Sequence, residues 1–227
     1  MNILSTVLYR DAMMLIINKP AGIPVHAGPG GGPNLESYFE ELRFGLPRVP
    51  ALAHRLDRDT SGCLILGRHR QALARLGKLF QAGRIEKTYW AVVHGAPPSS
   101  EGRIELALSK RSEAKRGWWM KVDPEGQSAI TDYRVLGQGG GFSWLELHPR
   151  TGRTHQIRVH CAEIGCPLLG EPIYDRPAGE PRLVAPAEPL HLHARAITVP
   201  LYPTKPPVTV EAPVPPHLQA ALTMCGG

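Results

Sequence analysis

The apolar residues of this chain fall in short runs, each closed by turn residues, and this spacing limits the fold more than any other feature. The run MMLIINK at 13–19 reads as a buried strand stopped by Pro20-Ala21-Gly22. Further strands are expected at 63–67, 88–93, near 103–108, and at 118–122, 129–136, 142–147, 192–199 and 208–212. Three helices stand among them. Asn34 caps one running to about Leu42, with Leu35, Phe39 and Leu42 on one face. Residues 69–82 repeat Leu73, Leu76, Leu79 and Phe80 near helical period, and Gly83 ends the pattern. Residues 154–164 place Ile157, Cys161 and Ile164 together, with Gly165 at the C-terminal cap and Pro167 beyond. Many strands, three helices and no βαβ alternation predict an α+β fold with a mostly antiparallel sheet.

The 227 residues suffice for one substantial core, and we expect a single domain over 1–227. Hydrophobic residues at 42% and charged residues at 20% fit a folded chain, not a disordered one. Prolines and glycines cluster at 20–33, 95–102, 172–189 and 200–216, where they supply turns. No apolar run approaches the ~20 residues of a membrane helix, and the N-terminus does not read as a secretory signal. A net charge of +6 suits a polyanionic partner. Cys63, Cys161, Cys166 and Cys225 form no Cys-x-x-Cys pair and no disulfide framework, so a reducing cytoplasm is expected. His155, His160 and Cys161 lie close in sequence, as do His191 and His193, but none has standard zinc spacing, and no metal is expected. The glycine-rich stretch 28–32 lacks the Lys-Ser/Thr ending of a phosphate-binding loop.

Two segments concentrate chemistry. Residues 54–62 (HRLDRDTSG) hold two arginines, two aspartates, a histidine and two hydroxyls, closed by glycine. Alone, the segment reads most simply as a solvated charged turn leading into the strand at 63–67. A carboxylate among guanidinium groups nevertheless stays ionised, as covalent catalysis at a sugar or an activated base requires. Residues 150–160 (RTGRTHQIRVH) gather three arginines and two histidines beside a Thr151-Gly152 turn. This segment reads either as a basic amphipathic helix covering a sheet or as an anion site at a helix start, with Arg153 adding charge. His155, Arg158 and Ala162 are expected on a face distinct from the apolar one.

Three more segments complete a pattern: 7–26 (VLYRDAMMLIINKPAGIPVH), 86–91 (EKTYWA) and 192–194 (LHA). In this order, with HRLDRDTSG and 147–160 (LHPRTGRTHQIRVH), they resemble the RluA-type pseudouridine synthase family over almost the whole chain. The resemblance implies a catalytic domain with a bifurcated, mostly antiparallel sheet flanked by helices; many relatives also carry an N-terminal S4 module, and none is expected here because the first motif begins within ten residues of Met1. The family's catalytic aspartate falls on Asp57, its active-site tyrosine on Tyr89, and the arginine partnering the aspartate on Arg158. Where the family often has Gly-Asp-x-x-Tyr-Gly, this chain has Gly170-Glu171-Pro172-Ile173-Tyr174-Asp175, which keeps the carboxylate.

The implied activity is isomerisation of uridine to pseudouridine in structured RNA, large-subunit (23S) rRNA first and tRNA second, with no redox change and no cofactor. Asp57 opens the reaction, Arg158 keeps it ionised and aimed, and Tyr89 stacks on the target base. The target must leave its stack. Arg55 is placed to fill the vacated space, and His54, Arg58 and Thr60 to line the mouth. Arg153 and His155 are further expected RNA contacts. Residues 110–119 interleave Lys110, Arg111, Lys115 and Arg116 with two tryptophans, a pattern of either a solvated hairpin tip or an RNA grip. The expected partner is RNA, with no membrane, no metal, and a monomeric, cytoplasmic enzyme. Two other functions fit parts of the pattern. One is a catalytically idle RNA-binding or ribosome-assembly protein. The other is a glycosidase using Asp57 and Asp59, but carboxylates two residues apart in a tight turn are poorly placed to flank a sugar bond.

Overall fold

The computed structural model describes residues 1–28, 31–113, 117–174 and 188–227, without the side chain of Glu113. In chain order the strands and α-helices are β1 (Val7–Arg10), β2 (Met14–Lys19), β3 (Ala51–Leu52), β4 (Ser61–Gly67), α1 (Arg70–Gln81), β5 (Glu86–His94), β6 (Glu101–Glu105), β7 (Leu108–Glu113), β8 (Gly117–Val122), β9 (Ile130–Gly139), β10 (Phe142–Pro149), α2 (Gln156–Glu163), β11 (Leu192–Val199), β12 (Val208–Glu211) and α3 (Pro216–Met224). The class is α+β, as expected. The chain forms two compact units, Met1–Lys87 with Ala194–Pro213, and Thr88–His193 with Val214–Gly227.

The first unit carries the strand order β1-β2-β4-β11, with β3 on β4 and β12 on β11. β1–β2, β2–β4 and β11–β12 pair antiparallel. All seven residues of β4 are buried, so its sequence reads as a continuous apolar run rather than an alternating one. α1 covers this sheet with Leu76 and Leu79, which pack among Met14, Ile16, Ile65 and Ile197. His69 caps α1 by accepting the Ala72 N–H at 3.3 Å. The helix begun by Asn34 is wound as a 3-10 helix, Leu35–Arg43, with Leu35, Phe39 and Leu42 buried as expected.

The second unit carries the order β5-β10-β9-β6 and a separate hairpin, β7–β8. β10 alternates half-buried and buried residues along its length, as a strand with one core face must. Its core joins Ala91, Val93, Leu145 and Leu147 to Ile157 and Cys161 of α2. The strand expected near 103–108 is two strands. Between them the Leu106 N–H bonds Ala129 O at 3.2 Å and the Leu108 N–H bonds Gln127 O at 2.9 Å, so the chain leaves β9 there and starts the hairpin. α2 is not the amphipathic helix expected, because residues 156 to 162 are all buried. α3 was not expected. Pro216 at its first turn and Leu218, Ala221 and Leu222 at helical spacing are nevertheless start and face signals.

Candidate active site

The loop 54–62 sits on Lys19, the last residue of β2. Lys19 is 0% exposed. Its ammonium donates to three backbone carbonyls, Pro20 O at 2.8 Å, Arg58 O at 2.8 Å and Thr60 O at 2.9 Å. Three N–H donors thus meet three acceptors, two of them on either side of Asp59. Burial lowers the Lys19 pKa to about 8, against the opposing pull of the Asp59 and Asp57 charges. Asp57 is half-buried, and its carbonyl accepts the Thr60 N–H at 3.3 Å, closing the turn. The glycine ending the loop is required by packing. Gly62 has φ +108°, and a Cβ there would lie 2.2 Å from the carbonyl oxygen of Ala194. Sequence reading ended a buried strand at Lys19 but gave it no role. A lysine terminating an apolar strand was the available signal.

The neighbours of Asp57 divide. Arg55 and Arg58 are exposed. Arg58 Nε donates to Gly22 O at 3.2 Å and stands 3.9 Å from Asp59. Two further residues of the loop are tied into the fold. Thr60 is 2% exposed because its carbonyl turns to Lys19 and the chain enters fully buried β4. His54 is half-buried; its Nε2 accepts the Ile65 N–H at 3.0 Å and its ring lies 4.8 Å from that of Phe80. Burial, with Lys87 nearby, pushes the imidazole down to about 3, so it is neutral at physiological pH.

In the second unit, Tyr89 lies in β5 opposite Leu147 of β10 and packs partly buried against the core. Arg158, on α2, grips Glu171 with two parallel bonds, Nε to Oε2 at 2.8 Å and Nη2 to Oε1 at 2.6 Å. The side chains are 4% and 1% exposed. The same Oε1 accepts the N–H groups of Ile173 at 3.0 Å and Tyr174 at 3.3 Å. This answers the departure at Glu171: the longer carboxylate still reaches the arginine. The Arg158 guanidinium also stands 5.3 Å from the Tyr174 ring centroid. His155 is not helical. It precedes α2 with φ 52°, and its Nδ1 lies 2.8 Å from the Tyr174 hydroxyl.

Ahead of the start of α2 the chain bonds to itself. The Gln156 side chain accepts the Arg153 N–H at 3.0 Å and the Thr151 hydroxyl at 2.7 Å. Arg153 is exposed, its Nε donating to Ser128 O at 3.0 Å. Lys110 and Arg111 are exposed on β7, and Arg111 stands 3.7 Å from Asp123. Lys115 and Arg116 lie outside the described residues. The structure therefore gathers Lys19, Asp57 and Asp59 in one unit, and Trp118, His155, Arg158, Glu171 and Tyr174 in the other.

The family described as RNA pseudouridylate synthase matches residues 13–163. An uncharacterized RNA pseudouridine synthase of Zymomonas mobilis is 42% identical over 210 residues, 92% of this chain and 93% of that protein. The ribosomal large subunit pseudouridine synthase C of Buchnera aphidicola (subsp. Schizaphis graminum) is 38% identical over 175 residues, 77% of this chain and 55% of that protein. Among solved structures, human RNA pseudouridylate synthase domain containing 4 superposes with a TM-score of 0.79 at 26% identity, covering 99% of this chain and 94% of that one.

Proposed function

This chain belongs to the RluA-type RNA pseudouridine synthase family, and from that premise we propose that Asp57 is its catalytic carboxylate, with Tyr89 and Arg158 as partners. The enzyme is an isomerase that converts uridine in RNA to pseudouridine. That reaction breaks the glycosidic bond, turns the base and rejoins the sugar at carbon 5, without redox change and so without need of a cofactor. The observation that carries the assignment is the seat of the loop: a buried ammonium fixes the carbonyls of residues 58 and 60, and its charge acts on Asp57. A loop so held presents the Asp57 carboxylate from a fixed backbone. Arg158, already fixed by Glu171, supplies a permanent positive charge, and Tyr89 supplies a face for the target base. Arg55 and Arg58, both exposed, meet the RNA, joined by Lys110, Arg111 and Arg153.

The substrate we propose is large-subunit rRNA, with tRNA second; a relative named for the ribosomal large subunit supports that order. We place the enzyme in the cytoplasm as a monomer. Its four cysteines are buried and free, as a reducing compartment allows, and among the described residues no helix is long and apolar enough to cross a membrane. Tritium release from carbon-5-labelled uridine in unmodified rRNA tests the proposal. Wild type is expected to release tritium, and Asp57→Asn to lose at least ~10³-fold in rate. Undiminished release by Asp57→Asn removes Asp57 from the reaction. Salt-sensitive RNA binding with no release from any rRNA or tRNA favours an idle RNA-binding or assembly protein.

A further inference from the structure

Trp118 stands apart from the chain's other tryptophans. Trp90 and Trp144 pack edge to face, with ring centroids 4.7 Å apart. Trp119 is half-buried against the core under the hairpin. Trp118 is 44% exposed, a large apolar surface left in water. It is nevertheless held in place. The His155 ring lies 5.1 Å away at an interplanar angle of 30°, and the Lys110 ammonium stands 4.9 Å from the indole centroid.

The support beneath Trp118 is built with some strain. His155 has φ 52°, in the left-handed region that few non-glycine residues adopt. Its Nδ1 bonds the Tyr174 hydroxyl, which in turn accepts the Met120 N–H at 2.9 Å from the strand that carries Trp118. The Tyr174 ring stands over Arg158, and Arg158 is locked to Glu171. A rigid line therefore runs from a buried ion pair to an exposed indole. A core needs no such outer end.

We infer that Trp118, propped by His155 and flanked by Lys110, is a stacking platform for an unpaired base of the substrate RNA. An indole face accepts any base, and an ammonium beside it attracts the adjoining phosphate; aromatic residues interleaved with cations are how single-stranded RNA is held. The charge favours RNA over an acidic protein surface, because bases supply the flat partner that an indole requires. A base stacked on this platform helps register the substrate strand.

This inference rests on the pseudouridine synthase reading, and its tests separate the two. With full-length protein, single-stranded RNA is expected to quench tryptophan emission, and Trp118→Phe to remove most of the quench while Trp119→Phe keeps it. On unmodified rRNA, Trp118→Ala is expected to raise KM by roughly 5- to 100-fold with kcat little changed, and Trp118→Phe to recover most of the loss. An unchanged KM in an active Trp118→Ala enzyme overturns the platform. So does a fall in kcat that tracks a fall in Tm, since that marks a purely structural prop. If wild type releases no tritium from any RNA, the enzymatic reading fails. A Trp118-dependent quench in that protein still upholds the platform.

Discussion

Lys19 and Arg158 are both buried cations, and the chain holds them in opposite ways. The Lys19 ammonium donates to three neutral carbonyls, and burial brings its pKa to about 8. Arg158 is bonded through Nε and Nη2 to one buried carboxylate and cannot be discharged in the accessible pH range. The carbonyl cage suits a loop. It ties distant backbone points, residues 20, 58 and 60, to one atom. The ion pair suits a helix, where one side chain must point one way. The difference also means that the charge under the Asp57 loop is conditional on pH, while the charge at Arg158 is permanent.

The largest effect is expected on breaking the ion pair. Glu171→Ala leaves an unpaired buried guanidinium and should destabilise the protein by about 3–5 kcal/mol, read as a fall in Tm or in the denaturant midpoint. Arg158→Met combined with Glu171→Gln should recover much of that stability but no tritium release, because the charge is gone. A single Glu171→Ala that unfolds no earlier than wild type would mean the pair is already solvated. Lys19→Met should cost less, about 1–3 kcal/mol. It strands three carbonyls, but it also removes a charge that disliked burial. Its loss of activity should exceed what its stability predicts, since Asp57 loses its seat. Activity that follows stability alone would reduce Lys19 to a core residue.

Most of this contrast was legible only in part from sequence. The strands at 13–19 and 63–67 and the helix at 69–82 announced themselves, because local period and burial agree there. Asp57, Tyr89 and Arg158 were nominated by resemblance. The partner Glu171 was noted only as a kept carboxylate, because sequence does not reveal which side chain an arginine 13 residues away will bond. α2 was misread as amphipathic. His155, Arg158 and Ala162 were expected on a face apart from the apolar one, yet His155 bonds Tyr174 and Arg158 bonds Glu171, and His160 turns to Thr131. The burial of Thr60 was hidden for a related reason: a polar residue in a charged loop looks exposed until the buried lysine that holds its carbonyl is known.

The conditional charge gives a third prediction, smaller because it is reversible. Near pH 9 only about a tenth of Lys19 keeps its proton if its pKa is near 8. The amine then has two N–H donors for three carbonyls, and the attraction to Asp57 and Asp59 is lost. Single-turnover rates should fall above pH 8. Stability should move the other way. The folded pKa of about 8 lies below the ordinary 10.5, so the unfolded chain holds more protons between those values and this group's penalty is relieved as pH rises through them. Opposite trends in rate and stability identify Lys19. A rate that stays flat to pH 9.5 shows that the loop does not need the charge.

The smallest effect is expected at Asp132, which shows the ion-pair solution transplanted to the surface. It bonds Arg103 at 2.6 Å and 3.2 Å and Arg150 at 2.7 Å, a geometry as good as that at Glu171. The arginines are 58% and 59% exposed, however, and water competes for them. Both hold the Asp132 carboxyl down to about 2 from 3.8, so its contribution is present above pH 3.8 and is lost as pH falls toward 2. Arg103→Ala at neutral pH should move Tm by less than about 2 °C. Its difference from wild type should shrink further in high salt and vanish near pH 2. If Arg103→Ala were as damaging as Glu171→Ala, burial would not be what separates the two pairs, and the contrast between Lys19 and Arg158 would have to rest on the chemistry of the partners alone.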